Sequence, residues 1–194
     1  MAATAAPNKR YSVDDLAQFP DDGRRRELVD GRIVEWEVTT LRHSFFLGAL
    51  VGMVRAFVLQ HRLGLVAGGD PMVRVQGSPF NARGPDIAFY ARGRRLGDLD
   101  AASTEIAPDF VIEILSPSDK ASDMQAKVRD WLHAGVRLLW YVDPEAGVTT
   151  VYRGNQIASV DAGEVLDGGD VLPGLQLRLR DVFDELAIMN IDEA

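Results

Sequence analysis

Residues 110–114, Phe-Val-Ile-Glu-Ile, constrain the fold of this 194-residue chain more than any other stretch. Side chains alternate along a strand, so Phe110, Ile112 and Ile114 share one face while Val111, Glu113 and Leu115 share the other. Apolar residues on both faces need cover on both faces, which is the condition of a central strand in a layered α/β structure. Glu113 sits in the middle of it. A lone carboxylate there is costly, so such groups are ordinarily paired, protonated or bound to a metal.

The flanking pattern supplies the layers. Ser12 with Asp15 three positions on predicts a short capped helix. Residues 24–38 read as a hairpin turning at Asp30-Gly31. Apolar residues at helical spacing from Leu41 to His61 predict a long helix, closed by Gly64. Strand signals follow at 65–68, 72–76 and 85–91, with the loop GSPFNARG before the last. Residues 93–107 read as a loop and 109–115 as the central strand. SPSD (116–119) is expected to start a helix that runs to Ala134 and closes at Gly135, with Ser116 or Ser118 as cap and Pro117 in its first turn. A strand at 137–144, a meander from 148 to 179 and a terminal helix at 181–187 complete the series. The pattern is α/β (α+β): a disordered stretch at 1–10 and one domain over 11–194.

Composition narrows the classes. Without cysteine there are no disulfides or thiolate metal sites, and the three histidines lack zinc-ligand spacing. The most apolar run, residues 45–54, is too short to span a bilayer, and the N-terminus has no apolar core of signal-peptide type. A cytoplasmic protein away from the membrane is the expectation. The net charge of −8 argues against a protein that coats nucleic acid. Arg24-Arg25-Arg26 and the group Arg92, Arg94 and Arg95 are expected to be solvated surface, as is His43.

What meets Glu113? Asp109 is on its face but about 13 Å away along the strand, too far to share an ion. Asp86 opens a second apolar strand, and if that strand pairs with 109–115 the two carboxylates converge across a spacing of about 4.8 Å. Taken alone, Asp86 also reads as a turn residue after Pro85. Lysine is scarce: of 21 basic residues only three are Lys, and Lys120 and Lys127 both follow the Glu113 strand. Lys127 borders the apolar stripe Met124, Val128, Trp131 and Leu132. From there it reaches over the strand end, or pairs with Asp123 or Asp130 on its own helix. A structural ion pair between Glu113 and Lys127 or an arginine is the bland alternative. Trp131, Trp140 and Tyr141 are expected to pack the core.

PD at 85–86, EIL at 113–115, SPSD at 116–119, Lys127 and GVRLLWYVDP at 135–144 resemble, in that order, the Uma2 family of restriction-endonuclease-like proteins in the PD-(D/E)XK nuclease superfamily. ELVDGR at 27–32 fits the N-terminal motif of that family. The resemblance implies a mixed β-sheet flanked by helices and a Mg²⁺- or Mn²⁺-dependent endonuclease acting on DNA; cutting both strands needs two sites, so a homodimer is expected. It implies that Asp86 and Glu113 bind the metal with the Ile114 carbonyl. Glu27, the additional acid, would hold a second ion or an outer-shell water, and Lys127 would be the catalytic lysine. The chain departs from the superfamily pattern at Leu115, where the motif lysine is expected; Lys127 on the next helix takes its place. A non-catalytic nuclease-fold binding protein and a hydrolase of another phosphoester are the competing readings.

Overall fold

The computed structural model describes residues 9–20, 22–36, 39–75, 78–117 and 119–188. The expected disorder of residues 1–10 falls largely on 1–8, outside the described residues. The first helix, α1 (Val13–Leu16), has the expected capping box: Asp15 N–H bonds the Ser12 hydroxyl while the Asp15 carboxylate accepts from Ser12 N–H. The hairpin β1 (Arg26–Val29) and β2 (Arg32–Glu35) turns at Asp30 and Gly31, both with positive φ. That backbone matches the twist of a two-residue hairpin.

Two sheets follow. One has the order β2-β1-β5-β4, with β4 at Val73–Arg74 and β5 at Ala82–Arg83. The short β5 lies within the stretch read as a loop, where a two-residue strand leaves no periodicity to see. The other is a six-stranded mixed sheet, β10-β9-β8-β7-β6-β3. It consists of β3 (Gly64–Gly68), β6 (Ile87–Ala91), β7 (Phe110–Ile114), β8 (Leu138–Asp143), β9 (Val148–Arg153) and β10 (Gln156–Asp161). Only β7 and β8 are parallel, joined across the helix α3 (Ala121–Ala134) as a parallel pair requires. A two-stranded ribbon, β11 (Leu166–Asp167) and β12 (Gln176–Leu177), precedes α4 (Leu179–Ile188).

The central strand has the expected division of faces. Phe110, Ile112 and Ile114 join the core formed with Phe46, Leu50, Val54 and Val58 of α2 (Leu41–Gln60). Val111 and Leu115 belong to the core formed with Val128 and Trp131 of α3. Helix α2 is 20 residues long and apolar enough, by length and composition alone, to cross a membrane, which residues 45–54 considered alone did not suggest. Its residues at three- and four-residue intervals pack on the sheet.

Two helix ends differ from expectation. α2 closes on Arg62, not Gly64: Arg62 has φ 53°, its N–H bonds Leu59 O, and Leu63 N–H bonds Val58 O. This is the Schellman arrangement with arginine in the usual glycine position. Gly64 instead begins β3. α3 starts at Ala121, after SPSD, because Asp119 bonds back to Ser116. The Asp119 carboxylate takes Ser116 N–H and Asp119 N–H bonds Ser116 O. A local side-chain bond of this kind competes with helix initiation. Ser118 is outside the described residues. Gly135 closes α3 in a left-handed conformation, as expected.

Candidate active site

The two sheets meet at Gly84-Pro85-Asp86, the three residues between β5 and β6. β6 and β7 are antiparallel with Ile87 opposite Ile112, and one step further along the same register puts Asp86 opposite Glu113. Residues opposed in an antiparallel pair project from the same face. The expected pairing of the two strands is therefore present, and Asp86 Oδ2 accepts from Ile114 N–H at 2.7 Å.

Both carboxylates are buried, and every oxygen they carry has a protein partner. Glu113 Oε2 meets Lys127 Nζ at 2.7 Å and Glu113 Oε1 accepts from the Trp131 indole N–H at 2.7 Å. Asp86 Oδ1 accepts from Arg25 Nη1 at 3.2 Å, while Asp86 Oδ2 also lies 3.4 Å from His43 Nε2. Lys127 is buried, though sequence spacing placed it on the border of its helix stripe. Its ammonium donates to Gly84 O at 3.1 Å and pairs with Glu27 at 3.2 Å. Glu27, fully buried on β1, takes Gly84 N–H and Arg83 Nη1, both at 3.0 Å; Arg83 also binds Asp130. Thus Asp86, Glu113, Lys127 and Glu27, 27 to 127 in the chain, share one cluster. The bland reading of Glu113 as an ion pair with Lys127 is also present in the geometry.

Sequence reasoning missed four participants. Arg25 is not solvated surface: beyond Asp86 it binds Gly84 O at 2.7 Å and pairs with Asp70 at 2.8 Å. His43 is buried in the first turn of α2 and not on the surface. Trp131 packs in the core as expected, but its indole N–H holds Glu113. Asp70, at positive φ before β4, had no signal beyond a Gly-Asp turn. The signal available for Arg25 was its position two residues before Glu27, just ahead of β1, where extended backbone places both on the same side. Asp109, excluded on distance, pairs with Arg94 at 3.2 Å at the far end of β7.

Burial sets the electrostatics. It pushes Glu113 up to about 7 against the opposing pull of Lys127. It raises Asp70 to about 6, with Arg25 opposing. Asp86 is held down at about 2, because the His43 hydrogen bond, Lys127 and Arg25 together outweigh its burial. Lys127 is pulled down by burial, but Glu113 and Glu27 more than offset this and leave its pKa raised. A cavity of about 210 Å³ adjoins the cluster, lined by Arg25, Trp36, Glu113, Ser116, Lys127 and Tyr141 among others.

Comparison with known proteins follows the same lines. The model of the Uma2 family, described as "Putative restriction endonuclease", matches residues 13–180. The fold is similar to the crystal structure of a protein from Anabaena variabilis, described as a putative nuclease belonging to DUF820. The TM-score is 0.80 at 22% identity, over 90% of this chain and 98% of that one. No curated protein gives a significant match.

Proposed function

Since the chain belongs to the Uma2 family, we propose that it is a metal-dependent endonuclease that hydrolyses phosphodiester bonds in DNA, with Mg²⁺ or Mn²⁺ held by Asp86 and Glu113. One observation carries this reading. Around Gly84, among the described residues, the carboxylates Glu27, Asp70, Asp86, Glu113 and Asp130 face three permanent cations, Arg25, Arg83 and Lys127. With all five ionised the cluster is two positive charges short, the condition under which burial raises Glu113 and Asp70; Glu27, Asp86 and Glu113 at its centre are buried, where charge without compensation is costly. A divalent cation supplies that charge.

The donor set fits such an ion. Asp86 and Glu113 are hard oxygen ligands on adjacent strands, and Mg²⁺ is commonly held by one or two carboxylates with water completing the shell. Among the described residues no group of three His, Cys, Asp or Glu side chains forms a fuller cage. The N–H of Ile114 is turned toward Asp86. In an extended strand the carbonyl of the same residue points to that side, so Ile114 O is available as a third oxygen. Glu27 serves as an outer carboxylate, since its oxygens are taken by Gly84, Arg83 and Lys127.

When bound, the ion acidifies a water and offsets charge on the phosphate. The chain's own part is to hold and orient. Trp131 fixes Glu113 from below, and His43 and Ile114 N–H fix Asp86. Lys127, gripped by Glu27, Glu113 and Gly84 O, stays protonated beside the small cavity, where its ammonium orients a water or meets developing negative charge. Leu115 leaves the usual lysine position apolar, and Lys127 reaches Glu113 from α3 instead. Cutting both strands of DNA takes two such sites, which a homodimer supplies.

A second reading is favoured by the saturation of all four oxygens of Asp86 and Glu113 by protein donors: a nuclease fold that binds a partner and cuts nothing. Cleavage of supercoiled plasmid with Mg²⁺ or Mn²⁺ separates the two, with wild type beside Asp86→Ala and Glu113→Ala. Nicking or linearisation by the wild type alone supports the nuclease. Loss of cutting in all three, across both metals, favours the binding protein.

A further inference from the structure

Arg25 stands out among the residues of the cluster because its guanidinium does not belong to one partner. Nη1 lies 3.2 Å from Asp86 Oδ1, and Nη2 lies 2.7 Å from Gly84 O and 2.8 Å from Asp70 Oδ1. Its side chain is 18% exposed, against 5% for Lys127 and 2% for Arg83. It lines both the small cavity beside Glu113 and a groove of about 800 Å³ that runs past Asp70. Arg25 is therefore the one cation of the cluster, among the described residues, that faces open space on two sides while touching Asp86.

The oxygens of Asp86 are used unequally. Oδ2 is held from within the fold by Ile114 N–H and His43, both buried. Oδ1 is held by Arg25 alone among the described residues. Of the described groups that hold Asp86, Arg25 is the one that lines both the cavity and the groove.

We infer that Arg25 is a displaceable resident cation: it holds Asp86 Oδ1 in the metal-free protein and yields it to a divalent ion, staying tethered to Asp70. This rests on reading Asp86 as a metal ligand. The arrangement keeps Asp86 oriented and its charge screened before the metal arrives, and it sets metal affinity, because each ion bound must displace one guanidinium contact. Asp70, at the groove side of Arg25, is the carboxylate that receives the displaced charge.

The test is Mn²⁺ binding by isothermal titration and by the electron paramagnetic resonance of free Mn²⁺, with thermal melts to confirm folding. Arg25→Gln is expected to tighten Mn²⁺ binding about tenfold, the scale of a removed charge contact in a partly buried site. Arg25→Lys retains the charge but loses the two-nitrogen grip, and is expected to tighten it by a smaller factor. Asp70→Asn removes the tether and is expected to weaken binding severalfold in the wild type but not in the Arg25→Gln background. Arg24→Gln removes a neighbouring charge that pairs with Glu35 and Asp22 and does not touch Asp86; it should leave binding unchanged.

The inference is overturned if Arg25→Gln and Arg25→Lys bind Mn²⁺ no more tightly than the wild type, or if Arg24→Gln tightens it as much. If Arg25→Gln does not fold, Arg25→Lys decides alone. Asp86→Asn tells the two levels apart. Mn²⁺ binding lost in Asp86→Asn but unchanged in both Arg25 variants removes the role of Arg25 and leaves the metal site standing. Absence of binding in the wild type and in every Arg25 variant removes both.

Discussion

At the scale of single residues, two fully buried tryptophans give a controlled comparison. Trp131 donates its indole N–H to Glu113, whereas Trp140 Nε1 has no hydrogen-bond partner among the described residues. Trp131→Phe leaves a buried carboxylate oxygen unpaired, which costs about 1–3 kcal/mol beyond any loss of packing. Trp140→Phe bears only the packing loss. Urea melts of the two variants should therefore separate, with Trp131→Phe the less stable; equal losses would mean that the indole bond contributes nothing. Neither difference is visible in the sequence, where both residues read as core aromatics. Hydrophobicity ranks a tryptophan as interior without saying what its one polar atom will face.

At the scale of elements, the long helix α2 carries two expectations. Leu50 lies at the centre of its buried face and is 1% exposed. Leu50→Ala removes a filled volume between α2 and the sheet and should lower stability by about 2–5 kcal/mol. Arg62, at its C-terminal end, holds a left-handed backbone that glycine adopts without strain. Arg62→Gly should raise stability by about 0.5–1 kcal/mol, since the relieved strain exceeds the added freedom of the unfolded chain. A drop in the chemical-denaturation midpoint would show that the arginine side chain contributes something that its exposed position does not suggest. These elements were legible because helix and strand periods are written in short windows. The ends were not: the αL position fell on Arg62 although a glycine stood two residues on, and α3 began only at Ala121 because Asp119 reached back to Ser116.

At the scale of the whole molecule, the buried cluster links stability to pH. Burial holds Asp70 at about 6 and Glu113 at about 7, both above their usual values. For a carboxyl raised in this way the native state binds a proton that the unfolded state has already released. Its stabilising contribution is complete below the unfolded pKa and is lost as pH rises through the folded one. Without divalent cations, stability should therefore fall between pH 5 and about 7.5, and Asp70→Asn should make the decline shallower. Acids whose pKa is lowered, Asp86 and Asp22 among them, act in the opposite sense, but only at more acidic pH. An identical slope in wild type and Asp70→Asn would count against the burial of Asp70. Mg²⁺ should raise the melting temperature most at the alkaline end, where both carboxylates are charged and a cation has most to offset.

The sequence by itself determined the central strand, the division of its two faces between two layers and the order of the elements; it suggested the pairing of the Asp86 strand with the Glu113 strand, which the register then placed. Each of these follows from a period of two or 3.6 residues, or from a pairing of neighbouring apolar strands. The scarcity of lysine pointed to Lys127, and the family motif added Glu27. Only the tertiary structure decided what the cluster is made of. Arg25 and Asp86 are 61 positions apart, Arg83 and Glu27 are 56, and Lys127 and Gly84 are 43. No local pattern selects Arg25 and Arg83 out of eighteen arginines to lie inside. That choice depends on which charges are left facing one another once two sheets and two helices have closed around Gly84. A buried charge is tolerated only where an opposite one meets it.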